Sequence, residues 1–239
     1  MLELLSHPIL IAAAVIPAVA LLVQVEKADR IEKESRSLLL SLVYYGVVST
    51  ALASLTERLG IAILNRIWPE DSLAYNLVLF FVVVGLSEEG FKYLVLKYRS
   101  WRSPEFNCQF DGVVYSVFVS LGFALWENIS YVLRFGFGTA VVRALTAVPG
   151  HACFGVFMGA WYGAAKRLQL AGDEEGSKRM RVFSLLIPAL LHGFYDFTAT
   201  YEQNCGWVFP VFVILMFFAA SRLVKKLSRE DRYLDGTDG

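Results

Sequence analysis

The stretch LAYNLVLFFVVVGLSEEGFKYLVL, residues 73–96, indicates the fold class of this 239-residue chain. A helix needs about 20 mostly apolar residues to cross a bilayer. These 24 residues contain only three charged side chains, those of Glu88, Glu89 and Lys92. The sequence therefore predicts a membrane-spanning helix, and one that carries charge inside the membrane.

Six further stretches are long and apolar enough to span a bilayer: residues 8–25, 37–55, 111–133, 142–165, 182–200 and 207–224. Charged residues make up 18% of the chain, against about 25% in a typical soluble domain, and the mean hydropathy is +0.51. We expect an all-α, multi-pass integral membrane protein with about seven transmembrane helices. Residues 1–227 are predicted to form one transmembrane domain, and residues 228–239 a short, mobile cytoplasmic tail. The net charge is zero and no basic face dominates, so no nucleic-acid partner is expected.

Basic residues set the predicted orientation. The first, third and fifth connections and the C-terminal end together hold 17 of the 22 Lys and Arg residues. The alternate connections hold four, Arg58, Arg66, Arg134 and Arg143, if Arg143 at the edge of the span 142–165 is counted with them. Because cytoplasmic loops are enriched in Lys and Arg, we expect the N-terminus outside and the C-terminus in the cytoplasm.

Ionisable side chains inside the spans point to a function. They are Glu88, Glu89, Lys92, Glu127, His151, His192 and Asp196. Each charge near the bilayer centre costs about 2.5–3.5 kcal/mol on insertion scales, so such groups face a cavity or one another and usually mark a functional site. Pro149-Gly150 lies just before His151, and Pro188 lies one turn before His192. Both predict irregular backbone, which membranes tolerate where it lines a wet cavity.

Three motifs, in order and on separate predicted spans, then define a resemblance. They are EExxK at residues 88–92 (EEGFK), FxxxE at 123–127 (FALWE) and HxxxD at 192–196 (HGFYD). The chain resembles the PrsW family of intramembrane proteases, and segments 29–34 (DRIEKE) and 148–151 (VPGH) resemble family segments as well. The larger group includes the CAAX prenyl endopeptidases, whose second motif ends in His, so Glu127 favours the PrsW side.

The resemblance implies a metalloprotease of membrane proteins, with a site-1-type first cut in an anti-sigma factor as the best-known role. It also implies a multi-pass protein of the cell (plasma or inner) membrane. The expected partners are the lipid bilayer and a single-pass, anti-sigma-factor-like membrane protein.

We expect Glu88 to be the general base of hydrolysis, because a carboxylate in an apolar place is a stronger proton acceptor than in water. Glu89 would be its partner or a contact between helices. Glu127, His151 and His192 would hold the attacking water, most simply through a divalent metal such as zinc.

Three residues have supporting roles in this hypothesis. Asp196 would orient His192 or join the ligands, and Asn128 is a candidate donor to the oxyanion. Lys92 is expected to neutralise the adjacent acids and to be structural.

Other interpretations remain open at the level of sequence. The same groups could activate water without a metal, through a Glu–His pair. Buried acids, imidazoles and a lysine also occur in proton- or ion-coupled transporters, although the chain shows no second half that repeats the first. A catalytically inactive scaffold of the same fold is the third alternative, although every motif residue is present.

Overall fold

A computed structural model of the chain describes residues 2–200 and 206–234, with side chains from residue 8 onward. Helices account for most of it: α1 Leu2–Ala28, α2 Arg36–Leu64, α3 Leu73–Val78, a π-helical segment Leu79–Leu86, α4 Ser87–Ser100, α5 Asp111–Phe135, α6 Phe137–Leu145, α7 Ala147–Leu170, α8 Glu174–Thr200 and α9 Val208–Arg229. No strand occurs within these ranges. The all-α prediction is confirmed.

Within the described ranges, six helical stretches are long and apolar enough to cross a membrane, which confirms a multi-pass protein. The predicted third span is not among the six, because the π-helical segment divides it into pieces of 6, 8 and 14 residues. These pieces follow one another without a break over residues 73–100. The prediction of about seven spans therefore differs from the six only at this divided helix.

Helix α5 is the centre of the bundle and packs against α1, α2, α4, α6 and α7. In its most apolar window 78% of the residues are buried, against 17% for α1 and for α9. Helix α7 packs closely against it, because a Cβ at Gly159 would lie 2.4 Å from the backbone oxygen of Gly112. The site described below is built on this tightly packed pair.

The π-helical segment brings the EExxK motif against α8. A Cβ at Gly85 would lie 2.7 Å from the carbonyl oxygen of Ala189, and one at Gly193 would lie 2.8 Å from the Cα of Phe81. Because both positions lack a side chain, the two backbones approach closely one turn from Glu89 and beside His192. π-Helical turns are frequent at functional sites, and this one directly precedes the paired acids.

The predicted break at Pro149-Gly150 lies elsewhere. The chain leaves helical geometry at Thr146 (φ −123°, ψ −66°), between α6 and α7. Pro149 lies in the first turn of α7, where the amide N–H that proline lacks has no intrahelical partner to lose. Helix α8 continues through Pro188.

The start of the predicted C-terminal tail contacts the loop before α5. The Phe110 amide donates to Asp231 Oδ1 (3.0 Å), and the Leu234 amide donates to the Asn107 carbonyl (2.7 Å). The charged tail folds back because its carboxylate accepts backbone N–H groups of the loop before α5. Residues 235–239 lie outside the described part, and the 1–227 domain boundary stays a prediction.

Candidate active site

A cavity of about 420 Å³ lies within the membrane-spanning part of the bundle, among α2, the π-helical segment and helices α4 to α8. Its charged and imidazole side chains are Glu57, Glu88, Glu127, Arg143, His151, His192 and Asp196. Aromatic and aliphatic side chains, among them Phe80, Phe123 and Trp126, complete the wall. Side chains from the predicted third, fourth, fifth and sixth spans therefore do meet around one volume.

The Lys92 ammonium lies at the inner edge of this cavity and is fully buried. It donates to Glu88 Oε2 (3.2 Å) and to Glu89 Oε1 (2.7 Å), and its Nζ lies 3.1 Å from His151 Nδ1. The same ammonium lies 4.0 Å from the ring centre of Phe123. Lys92 thus neutralises both acids, as expected, and also links α4 to α7.

His192 connects the acids of α4 with Asp196. Its Nδ1 lies 2.9 Å from Glu89 Oε1 and 3.8 Å from Glu88 Oε2, and its Nε2 lies 3.4 Å from Asp196 Oδ2. The ring stacks on Phe154 with 4.7 Å between ring centres. Carboxylates therefore flank both ring nitrogens of His192.

Glu127 occupies a different part of the cavity. Its Oε2 lies 2.8 Å from His151 Nε2 and accepts a hydrogen bond from Arg143 Nη2 (2.9 Å). The neighbouring Asn128 is fully buried and does not line the cavity. Its Nδ2 donates to the Ala14 carbonyl (2.8 Å), and its Oδ1 accepts from Arg143 Nε (2.9 Å). Asn128 therefore holds Arg143, rather than facing the cavity as an oxyanion donor would.

The two adjacent acids differ in exposure to the cavity. Glu88 lines it, whereas Glu89 does not and is 0% exposed. Glu89 uses Oε1 for Lys92 and His192, and its buried Oε2 has no hydrogen-bond partner among the described residues. Adjacent helix positions point about 100° apart, and here that angle separates an acid facing the cavity from an acid behind it.

Four donors could hold a metal ion: ligand atoms of Glu88, Glu89, His151 and His192 all lie within 4.8 Å of one another. Carboxylates with imidazoles suit Zn²⁺, and the unpartnered Glu89 Oε2 is a free ligand atom. The residues present therefore fit a divalent ion. This group differs from the predicted Glu127, His151 and His192, because Arg143 and His151 already hold the Glu127 carboxylate.

The Lys92 ammonium contacts three of these four residues. A metal ion that bound all four donors would have to displace this ammonium or take its proton. The cavity favours a bound cation. Glu57, Glu127 and Asp196 add three carboxylates to those of Glu88 and Glu89, whereas Arg143 adds one positive charge.

Sequence reasoning missed two cavity residues, Glu57 and Arg143. Glu57 was placed beyond the predicted end of its span at residue 55, but α2 continues to Leu64. The apolar run 59–64 (LGIAIL) after Arg58 was the available signal. Arg143 was counted in an outer connection, although it lies in α6, which folds back over the cavity.

Comparison with known proteins decides the family. The model described as "PrsW family intramembrane metalloprotease" matches residues 34–221. The chain belongs to the PrsW family. A Geobacillus kaustophilus protein named Protease PrsW is 34% identical over 220 residues, 91% of this chain and 91% of the relative. The Bacillus subtilis protein of that name is 31% identical over 218 residues, covering 91% and 94%.

A third PrsW relative, from Halalkalibacterium halodurans, is 35% identical over 164 residues, 68% of this chain and 74% of the relative. No solved structure gives a significant match. The matched family region contains all three PrsW motifs, and the relatives are named proteases. The chain is therefore an enzyme, a protease of the membrane, as the motifs implied; the transporter alternative gains nothing from these comparisons.

Proposed function

We propose that this PrsW protein is an intramembrane endopeptidase in which Glu88 activates the water that attacks a peptide bond. The observation that carries the proposal is the shared cavity, into which Glu88, His192 and Asp196 project together. Glu88 takes a proton from a water molecule while the water oxygen attacks the carbonyl carbon of the peptide bond. The protonated Glu88 then donates this proton to the amine that leaves when the C–N bond breaks, while Asp196 orients His192 beside it.

The remaining polar side chains hold Glu88 and His192 in place and supply positive charge to the site. Glu89 holds Lys92 and His192 in place from behind the cavity. The Arg143 guanidinium lines the cavity and carries the positive charge that a developing oxyanion requires. Asn128 acts through Arg143 and is a positioning residue, which replaces its expected role as a direct oxyanion donor.

We also propose that the cavity binds one divalent metal, zinc, through Glu89, His151 and His192, which leaves Glu88 free to act as the base and a ligand position open for water. When bound, the metal would make water more acidic and polarise the substrate carbonyl. Zinc content of purified protein tests the assignment in Glu89→Gln, His192→Ala and Glu127→Ala, with Glu175→Gln on the exposed start of α8 as control. We expect loss of zinc in the first two and retention in the others. Negligible zinc in every protein, wild type included, would leave the metal-free Glu–His mechanism.

The proposed substrates are single-pass proteins of the cell membrane, of the anti-sigma-factor type. The test is co-expression with a panel of tagged single-pass membrane proteins from the host, anti-sigma factors included, followed by detection of fragments. Wild type and Glu175→Gln should release a fragment, and Glu88→Gln and His192→Ala should reduce its rate at least about 100-fold. Equal cleavage in all four strains would refute the proposed site.

A further inference from the structure

A second, larger cavity lies outside the active site, at the end of the bundle where α4 and α7 end and α8 begins. Its volume is about 720 Å³. The residues that line it are Leu94, Lys97, Tyr98, Trp101, Arg102, Lys166, Gln169 and Arg181. Four of these eight are permanently basic, and no carboxylate is among the described residues that form the wall. Such a charge distribution is typical of an anion-binding site.

Two of the basic side chains are held in place by Trp101, which is buried. Lys166 Nζ donates to the Trp101 carbonyl (3.0 Å) and lies 5.5 Å from the indole centre. The Arg181 guanidinium lies 5.2 Å from the same indole. Its Nε is buried and has no hydrogen-bond partner among the described residues. An unpaired guanidinium N–H is costly to bury, so this donor indicates an acceptor supplied by a ligand.

The surroundings of the cavity indicate a lipid. Leu94 and Tyr98 at its rim are 57% and 77% exposed, and Val182 and Phe183, which follow Arg181 in α8, are 53% and 41% exposed. Apolar side chains of this kind face acyl chains in a bilayer, whereas basic side chains at helix ends meet headgroups. A charged group in the cavity would therefore have hydrocarbon beside it.

We propose that this basic cavity binds the phosphate headgroup of an anionic phospholipid, with the acyl chains lying along the exposed apolar faces of α4 and α8. The guanidinium of Arg181 can make two parallel hydrogen bonds to phosphate oxygens. Lys97, Arg102 and Lys166 surround the same volume and add charge. The site is independent of the proteolytic cavity and of any metal in it.

Binding can be measured by native mass spectrometry of the purified full chain with added dioleoyl phosphatidylglycerol. Dioleoyl phosphatidylcholine has the same chains and no net charge, and inorganic phosphate tests the headgroup chemistry without chains. We expect phosphatidylglycerol to bind at least about tenfold more tightly than phosphatidylcholine, and millimolar phosphate to displace it only weakly. Tight binding of phosphate alone, with equal affinity for the two lipids, would show a free-anion site and overturn the lipid assignment.

Variants locate the site on the protein. Lys97→Gln/Arg102→Gln changes two exposed side chains and should leave the fold intact, while Arg181→Gln removes the unpaired donor. The double variant should weaken phosphatidylglycerol binding about 30-fold, since each basic residue contributes about fivefold near an anionic headgroup. Lys226→Gln/Arg229→Gln, at the end of α9, is the charge-matched control and should bind as wild type does. Equal weakening by both double variants, or by neither, would contradict the proposal.

Discussion

Two clusters of carboxylates lie within the described part of the chain, and cations pair with only one of them. Around the proteolytic cavity, Lys92 contacts Glu88 and Glu89, and Arg143 contacts Glu127. At the predicted cytoplasmic end, Asp29, Glu34, Glu105, Asp111 and Asp231 lie near one another. No salt bridge holds any of these five carboxylates within the described ranges.

In the second cluster, burial makes the carboxyl groups weaker acids. Burial, together with the charges of Glu105 and Asp29, raises the pKa of the Glu34 carboxyl to about 7, against a hydrogen bond from Tyr115. Burial likewise raises the pKa of Asp29 to about 6, which the Lys33 charge partly opposes. The comparison shows two ways of holding buried acids: fixed cations accompany those around the proteolytic cavity, whereas burial makes those at the predicted cytoplasmic end weaker acids.

The largest expected effect follows from removing the central cation of the proteolytic cluster. Lys92→Met leaves two buried carboxylates without their counter-charge, and should destabilise the protein by about 3–5 kcal/mol. Denaturant unfolding in detergent micelles measures it, with Lys97→Met on the exposed face of α4 as control. If Lys92→Met unfolds at the same denaturant concentration as the control, Glu88 and Glu89 do not need a cation for stability. The two clusters would then not differ in this respect.

A smaller effect, on the cleavage rate, is expected from removing the Arg143 guanidinium, which contacts Glu127. Arg143→Gln should reduce the cleavage rate about 10–100-fold, because Glu127 would then keep only His151 as a partner. Asn128→Ala should act in the same direction, since it releases the Arg143 side chain. The matched control is Arg134→Gln, an exposed arginine at the end of α5. A loss shared equally by the control would point to general destabilisation.

The smallest effect concerns pH and the cytoplasmic cluster. A carboxyl whose pKa is raised on folding binds a proton that the unfolded chain releases, so its stabilisation is complete below the ordinary pKa of 4.5 and is lost as pH rises through about 7. The midpoint of thermal unfolding should fall by about 2–4 °C between pH 5 and 8. Glu34→Gln should flatten this dependence, and the exposed Glu230→Gln should not. A wild-type midpoint that rises over this range would reverse the assignment.

The general architecture was predictable because long apolar runs in a membrane have one stable solution, the helix. The spans that form α1, α5 and α9 needed no tertiary information. The π-helical segment was not predictable, since the close backbone approaches at Gly85 and Gly193 join residues far apart in the chain. The same holds for α6, whose Arg143 pairs with Glu127 of α5.

The site was predictable in its members and less so in their partners. Spacing placed Glu88 and Lys92 on one helix face, and three motifs placed His192 and Glu127 in the same volume. Which of Glu88 and Glu89 faces the cavity depends on helix rotation, and a single sequence does not determine rotation. Asn128 was predicted to be an oxyanion donor because its hydrogen bond to the Ala14 carbonyl of α1 joins residues far apart in the chain, and the sequence does not show such a contact.

The most direct test of the account compares two variants of adjacent residues, Glu88→Gln and Glu89→Gln, for cleavage rate per folded molecule and for unfolding midpoint. We predict that Glu88→Gln loses cleavage and unfolds at a higher midpoint than Glu89→Gln, because its carboxylate faces the cavity and lies farther from Lys92 and His192. Glu89→Gln should lower the unfolding midpoint, because it weakens the contacts to Lys92 and His192. Cleavage by Glu88→Gln at the wild-type rate would contradict the account.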